Sequence, residues 1–221
     1  MTITMVFSFL PCTSMCVTGQ TGSGKTRFVY RLLRHVKDMY ADEPPEAILY
    51  CYGIHQPLFE EMEKTIPGIV FHEGLPSMET IREFTADRHH RLIVLDDLMH
   101  RVVRDVDMEL LFTQGCHHRR LSVLFLTQNL FVQGTRSRTI ALNTTYLVLM
   151  KNVRDVSQIV TLGRQLYPGR WKILMQSFED ATSNPYGYLI VDLAPNSDDI
   201  YRLRTQVFPG EDTTVYVPQK L

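Results

Sequence analysis

Short apolar runs alternate along the chain with amphipathic stretches, and segments rich in polar residues, glycine or proline separate them. Continuous hydrophobicity is typical of strands buried on both faces of a parallel sheet. Seven runs predict strands: Met15–Thr18, Ala47–Tyr52, Ile69–Phe71, Arg91–Leu95, Leu121–Thr127, Tyr146–Met150 and Gly187–Leu193. Apolar residues at helical spacing predict five helices: Thr26–Met39, Pro57–Lys64, Ser77–Ala86, Val106–Gly115 and Val153–Leu166. This alternation predicts one α/β domain over residues 1–221 with a mostly parallel central sheet.

A glycine-rich segment, GQTGSGKT, joins the first predicted strand to the first predicted helix. It satisfies G-x-x-x-x-G-K-[ST] in the strand–loop–helix context that this motif requires. The glycines let the backbone wrap so that its N–H groups face phosphate oxygens. Lys25 is predicted to neutralise charge on the β- and γ-phosphates, and the Thr26 hydroxyl to ligate Mg²⁺. Nucleotide binding is predicted for the whole segment: Gly19, Gln20, Thr21, Gly22, Ser23, Gly24, Lys25 and Thr26. The expected ligands are ATP and Mg²⁺.

Two aspartates follow the buried run LIVL. ATP hydrolysis requires one group that holds Mg²⁺ and another that orients or deprotonates the attacking water. Asp96 is predicted to hold the metal and Asp97 to act as the base, with Glu109 as a weaker alternative base. The competing interpretation is an acidic helix cap at the end of a strand.

The run LSVLFLT ends in Thr127, Gln128 and Asn129. A polar side chain at the tip of a central strand beside the phosphate loop would face the γ-phosphate and could bind it or the lytic water. Gln128, or in its place Thr127, is therefore the predicted sensor. The alternative is an ordinary polar strand end.

Composition narrows the class of protein. The 221 residues are 44% hydrophobic and 21% charged, which is typical of a folded globular chain and excludes extensive disorder. A net charge of −1 does not exclude DNA binding, because a local basic surface suffices. The four cysteines and the doublets His89–His90 and His117–His118 lack metal-ligand spacing, so no structural zinc is predicted.

Together the motifs resemble a known group of ATPases. The resemblance rests on GQTGSGKT, LIVLDDLM, FTQGCHHRRLSVLFLTQNLF, NTTYLVLMKNVRDVSQI and DATSNPYGYLIVDL. Over about Cys16 to Pro209 the chain resembles the FtsK–HerA group of P-loop ATPases. Within that group it is similar to poxvirus-type virion DNA-packaging ATPases of large DNA viruses and Polinton (Maverick) elements. Most relatives carry glutamate where Asp97 stands.

The resemblance implies a three-layer RecA-like fold and a DNA-translocating ATP hydrolase. It implies a homo-oligomeric ring, usually hexameric, that moves double-stranded DNA without reading its sequence. A capsid or portal-vertex protein would be a partner, and no membrane would be involved. The expected location is the site of virion assembly, in the host nucleus or cytoplasm, or the virion itself.

The resemblance further implies an arginine finger that reaches the ATP of the neighbouring subunit. Arg119 is the first candidate for this catalytic role, and Arg120 and Arg154 are the others. An arginine supplied in this way stabilises charge on the transferring phosphoryl group. A surface role for each arginine is the alternative.

The segment Gln133–Asn143 contains two arginines among small residues. It is interpreted as a pore loop that follows the DNA backbone, or otherwise as an ordinary basic loop. Two other functions stay open from the sequence. One is a P-loop nucleotide or nucleoside kinase, and the other is an assembly switch that binds ATP and hydrolyses it weakly.

Overall fold

The computed structural model describes residues 7–115 and 119–217. In these residues nine strands form: β1 Ser14–Thr18, β2 Ala47–Tyr52, β3 Ile69–Glu73, β4 Arg91–Asp96, β5 Leu121–Thr127, β6 Tyr146–Met150, β7 Tyr188–Asp192, β8 Leu203–Thr205 and β9 Thr214–Val215. All belong to one sheet in the order β3-β2-β4-β5-β1-β6-β7-β8-β9. The strands from β3 to β6 in that order are parallel, and β7, β8 and β9 are antiparallel to their neighbours. The predicted mostly parallel α/β sheet is confirmed.

Nine α-helices lie between the strands in the same described residues: α1 Lys25–Arg34, α2 Val36–Met39, α3 Leu58–Thr65, α4 Met78–Phe84, α5 Met99–Val102, α6 Val106–Leu110, α7 Ser137–Leu142, α8 Ser157–Leu166 and α9 Lys172–Ala181. A π-helical segment, Leu111–Gly115, continues α6, and a 3-10 turn spans Asp199–Tyr201. Cys116, His117 and His118, which entered the prediction about zinc, lie outside the described residues. The one-domain prediction for residues 1–221 stays a prediction.

Alternate residues of the central strands enter two separate apolar cores, one on each face of the sheet. In β4, Leu92 and Val94 join the core that contains Phe28 of α1. Ile93 and Leu95 join the opposite core, which contains residues of α4 to α9. Because strand side chains alternate between faces, a strand in such a sandwich must be apolar throughout. Two helical layers around one sheet therefore form the predicted three-layer architecture.

The order of the central strands determines what meets at the edge of the sheet. β5 lies between β1 and β4, and the three run parallel. Thr18 pairs with Thr127, and Asp96 pairs with Leu126, so the carboxyl ends are level. The residues that follow all three strands therefore emerge at one edge.

Two predicted helices differ from the structure. The helix expected over Thr26–Met39 breaks at His35, whose φ of −107° and ψ of 20° leave the helical region. The break redirects α2 so that Met39 is buried, and Met39 O accepts a 2.7 Å hydrogen bond from Phe9 N. The helix expected over Val106–Gly115 is α-helical only to Leu110 and then widens into the π-helical segment.

The remaining differences concern short elements. The chain from Asn152 to Val156 is not helical, so α8 begins later than the predicted Val153. Helices α5, α7 and α9 and strands β8 and β9 were not predicted. The two strands have three and two residues, too few for a readable alternation. β8 forms by antiparallel pairing with β7, and β9 forms by antiparallel pairing with β8.

Because the sheet lies between two helical layers, side chains in its central strands should contribute more to stability than those in its edge strands. Ile93 in β4 is 0% exposed, whereas Val70 in β3 is 55% exposed. Ile93→Ala should lower the free energy of unfolding by about 2–5 kcal/mol, because it leaves a cavity in a core that cannot fully relax. Val70→Ala should change it by about 1 kcal/mol or less. Urea denaturation followed by circular dichroism measures both, and equal losses would contradict the assigned burial.

Candidate nucleotide-binding site

The loop from Gly19 to Gly24 connects β1 to α1, and its geometry requires glycine at both ends. A Cβ atom on Gly19 would lie 2.7 Å from Ser23 Oγ and 2.9 Å from Met150 Cβ, closer than real contacts allow. Gly24 has a φ of 100°, in the left-handed region that glycine adopts without strain. The two glycines thus permit a tight loop that no larger residue could form.

The loop presents unused hydrogen-bond donors. No side chain caps the N-terminus of α1. The first N–H groups of a helix have no intrahelical acceptor, and with the helix dipole they attract anions. Ser23 is buried, and its Oγ has no hydrogen-bond partner among the described residues. An anion in the loop would satisfy these groups.

Lys25 lies folded back into the loop. Its Nζ donates hydrogen bonds to the carbonyl oxygens of Gly19 at 2.7 Å and Gln20 at 3.1 Å. Burial lowers the pKa of Lys25, and the nearby carboxylates of Asp96 and Asp97 oppose that shift. The ammonium group is therefore held where an anionic ligand of the loop would meet it.

Asp96 is a buried carboxylate at the end of β4, only 5% exposed. Its Oδ2 accepts a 2.8 Å hydrogen bond from Tyr50 Oη, and Gln56 Nε2 lies 3.5 Å from the same oxygen. Burial raises the pKa of Asp96 and Asp97 adds to the rise, while the hydrogen bond from Tyr50 and the charge of Lys25 lower it. A divalent cation would relieve this desolvated charge.

The donor set fits Mg²⁺. The Thr26 hydroxyl and the Asp96 carboxylate line one cavity, and hard oxygen ligands of this kind are those that Mg²⁺ takes, with water and phosphate completing its shell. These two residues would therefore hold the metal.

Asp97 differs from its neighbour in environment. It is exposed and has a φ of 57°, a left-handed conformation that aspartate tolerates better than most residues. The backbone of Asp97 turns close to Gly53. The Asp97 carbonyl oxygen lies 3.4 Å from the position that a Cβ atom on Gly53 would take. The side chain lines the same cavity as Asp96, so the two carboxylates can serve separate roles.

Both sensor candidates line the cavity, and Gln128 is the exposed one. Thr127 is buried, and its hydroxyl is used locally. It donates to Asn129 O at 3.1 Å and accepts from Asn129 N at 3.3 Å. Thr127 O also accepts a 3.3 Å hydrogen bond from Gly19 N, which ties β5 to the loop. Gln128 is the side chain that a ligand would meet.

These groups surround one cavity of about 560 Å³, which is within the usual range for small-molecule sites. Its lining comes from the loop, from the ends of β4 and β5, and from residues outside the predicted motifs: Thr21, Gly22, Gly24, Lys25, Thr26, Arg27, Gln56, Leu58, Asp96, Asp97, Leu126, Thr127, Gln128 and Tyr186. The predicted residues Gly19, Gln20 and Ser23 lie in the loop behind this lining.

Sequence analysis did not identify Tyr50, Gln56 or Tyr186. Tyr50 pairs with Val94 in the neighbouring strand, so Asp96, two residues further on, lies on the same face. A hydroxyl in an otherwise apolar strand beside the acidic strand could have suggested this contact. Tyr186 occupies an Asn-Pro-Tyr-Gly turn, a recognisable turn sequence whose position over the loop is not readable from the chain.

The candidate finger arginines occupy opposite edges of the sheet. Arg119 and Arg120 precede β5, and the Arg120 guanidinium forms an ion pair with Glu43. A seven-residue strand spans roughly 20 Å, which separates them from the cavity of their own chain. Arg154 follows β6 on the cavity edge, and the adjacent Val153 N donates to Gln20 Oε1 at 3.2 Å.

The other basic and acidic candidates lie outside the cavity lining. Glu109, the alternative base, forms an ion pair with Arg136 at 2.9 Å. Arg136 also donates to Arg104 O, so it is tied to the chain that follows α5. The segment Gln133–Asn143 is not a loop throughout, because Ser137–Leu142 forms α7 and buries Ile140. Arg138 within that helix is exposed.

The sheet order and the loop define an α/β P-loop NTPase fold. A comparison with solved structures supports the assignment. The chain is similar to the genome packaging NTPase B204 from Sulfolobus turreted icosahedral virus 2, solved in complex with ATP-gammaS. The TM-score is 0.57 at 10% sequence identity, with 95% of this chain and 98% of that chain covered. The TM-score shows a shared fold, and identity this low extends the likeness no further than the fold.

No protein-family model matches the chain, and no curated protein matches it. Within residues 7–115 and 119–217, no helix combines the length and the apolar character needed to cross a bilayer.

The buried charge of Asp96 should lower the stability of the nucleotide-free protein. Because folding raises the pKa of Asp96, its stabilising contribution is complete below the ordinary aspartate pKa and is lost as pH rises through the folded-state pKa. Asp96→Asn removes the charge and keeps an acceptor for Tyr50. It should increase the free energy of unfolding of the nucleotide-free protein at about pH 7, with the difference shrinking towards about pH 3.

Urea titrations across this pH range measure the effect. Asp97→Asn, at an exposed position, is the matched control and should change stability little. A lower stability of Asp96→Asn at neutral pH would show that the carboxylate stabilises the fold.

Proposed function

We propose that the protein is an ATP-driven translocase that packages double-stranded DNA of a virus or virus-like element into a capsid. The observation that carries the proposal is the meeting of phosphate loop, acidic pair and Gln128 in one cavity. Two further observations support the packaging role. The motif blocks resemble packaging ATPases, and the fold is shared over nearly the whole length with a genome packaging NTPase bound to an ATP analogue.

In the proposed reaction, the loop N–H groups and Lys25 bind the phosphates, with Thr26 and Asp96 as the residues that hold Mg²⁺. When bound, Mg²⁺ neutralises charge on the β- and γ-phosphates. Asp97 accepts a proton from the attacking water, whose oxygen bonds to the γ-phosphorus while the bond to the β–γ bridging oxygen breaks. ADP and phosphate leave. Gln128 orients the water or binds the γ-phosphate.

The kinase alternative places an acceptor hydroxyl where the water would stand. The side chains at that end of the cavity are Asp97 and Gln128, both exposed and able to bind a water molecule. Both groups would serve an acceptor hydroxyl as well, so it is the resemblance of the motif blocks to packaging ATPases that favours hydrolysis. The assembly-switch alternative differs only in turnover, so kinetics decide it.

Oligomerisation gives the arginines a role in this proposal. Arg119 lies too far from the cavity of its own subunit to touch a nucleotide bound there. Any contact between Arg119 and ATP is therefore with the ATP of a neighbouring subunit. A homo-oligomeric ring, with six subunits in the family it resembles, supplies such a neighbour. DNA would pass through the ring and be held by its backbone, with exposed Arg138 as one candidate contact. A capsid or portal-vertex protein would anchor the ring at the site of virion assembly.

Substitution of the proposed base tests the chemistry. Asp97→Asn should lower the ATP turnover number by about 10²- to 10⁴-fold and leave the Kd for MgATP within about threefold, because proton acceptance is lost and charge binding is not. Asparagine also tolerates the positive φ at this position. A phosphate-release assay measures the turnover number, and isothermal titration calorimetry measures the Kd for MgATP.

Lys25→Ala should abolish detectable binding, and Asp87→Asn, at an exposed ion pair with Arg91, should behave as wild type. An unchanged slow rate in Asp97→Asn would remove Asp97 from the mechanism and favour the switch. Transfer of labelled γ-phosphate to a nucleoside would establish the kinase instead.

The proposed action on DNA is tested by measuring ATP hydrolysis with and without double-stranded DNA. Double-stranded DNA of random sequence should stimulate ATP hydrolysis, and the stimulation should fall steeply between about 50 and 200 mM salt, because phosphate contacts release counterions. Light scattering after size exclusion should show a ring when a non-hydrolysable ATP analogue is present. A rate indifferent to double-stranded DNA, together with a monomer under all conditions, would rule out the translocase.

A further inference from the structure

An exposed tyrosine lies over the phosphate loop. Tyr186 is 64% exposed and lines the cavity. Its ring is in contact with the start of α1, since a Cβ atom on Gly24 would lie 2.8 Å from Tyr186 Cδ1. The side chain therefore lies against the start of α1 while much of its surface stays open.

The backbone holds Tyr186 in a conformation that tyrosine rarely adopts. Gly187 N donates to Asn184 O at 3.1 Å and closes a turn with Pro185 and Tyr186 at the central positions. The φ of Tyr186 is 63°, and a positive φ at the second central position normally requires glycine or asparagine. Because most of the ring is exposed, burial does little to offset this strain. Strain of this kind concentrates at functional sites.

The sheet places Tyr186 at the end of the cavity opposite the acidic pair. Asp96 ends β4 and Asp97 follows it, two strands from β1 on one side. Tyr186 precedes β7, two strands from β1 on the other side, and the first residue of β7, Tyr188, pairs with Met150 at the carboxyl end of β6. Phe28 of α1 packs against Tyr188 with ring centroids 4.9 Å apart, which fixes this turn beside the helix.

A nucleotide with its γ-phosphate at the acidic pair must extend its nucleoside away from β4 and β5. That direction leads along the start of α1 towards β6 and β7, where Tyr186 lies. We propose that Tyr186 is the platform on which the nucleobase of the bound nucleoside triphosphate stacks. The inference rests on the proposed function, since it assigns the base subsite of the same cavity.

Stacking on a ring face tolerates every base and gains from a larger base, so the subsite should favour purine over pyrimidine triphosphates only modestly. The Tyr186 hydroxyl is not needed for this contact. Tyr186→Phe should therefore bind nucleotides as wild type does.

Tyr186→Gly separates a binding role from a structural one. Glycine suits the turn better than tyrosine, so the variant should be at least as stable towards thermal unfolding as wild type. Loss of stacking should raise the Kd for MgATP by about 5- to 100-fold. The Kd for inorganic triphosphate with Mg²⁺, which has no base, should not change. Isothermal titration calorimetry with both ligands measures this, and KM for ATP should rise while kcat stays near wild type.

Tyr186→Asn, whose side chain tolerates positive φ and is not aromatic, should repeat the result and guards against a folding defect peculiar to glycine. Equal affinity of wild type and Tyr186→Gly for MgATP would overturn the inference and leave the proposed function intact. An equal loss of affinity for ATP and for inorganic triphosphate would also overturn it, since the tyrosine would then only shape the loop. If the wild-type protein bound neither MgATP nor inorganic triphosphate, both the proposed function and the base subsite would be wrong.

Discussion

The position of β5 between β1 and β4 is the constraint on which the site depends. In a parallel arrangement with level ends, the three strands deliver the phosphate loop, the acidic pair and Gln128 to one edge. The hydrogen bond from Gly19 N to Thr127 O joins the loop to the middle strand at that edge. Because all three strands are buried between two apolar cores, the edge is rigid. A rigid edge is what positions small groups around a phosphate chain.

The acidic pair shows how neighbouring residues acquire different properties. Asp96 still belongs to β4, so it is buried and receives a hydrogen bond from Tyr50. Asp97 is the first residue beyond the strand, and its positive φ turns it into the open cavity. The first carboxylate is costly to keep charged without a cation, whereas the second meets solvent. This division suits one residue to metal binding and the other to proton transfer.

Strained backbone at the cavity has a common pattern. Asp97 and Tyr186 both have positive φ and lie at opposite ends of the nucleotide cavity. Five other non-glycine residues of the described chain also have positive φ, but none of those five lines the cavity. Strain of this kind is common at functional sites.

The sequence by itself determined what consecutive residues encode. The bounds of β2, β5 and β6 were predicted as observed, the helix predicted from Ser77 has Ser77 as its N-cap, and the GQTGSGKT segment was placed between a strand and a helix. Periodicity, capping and the glycine loop are local features, so a short window contains them. The tertiary structure decided the strand order and the partners that distant segments supply. Tyr50 reaches Asp96 across 46 positions, and Tyr186 reaches the loop from the far end of the chain. Such contacts depend on how the layers pack, and no local pattern carries that information.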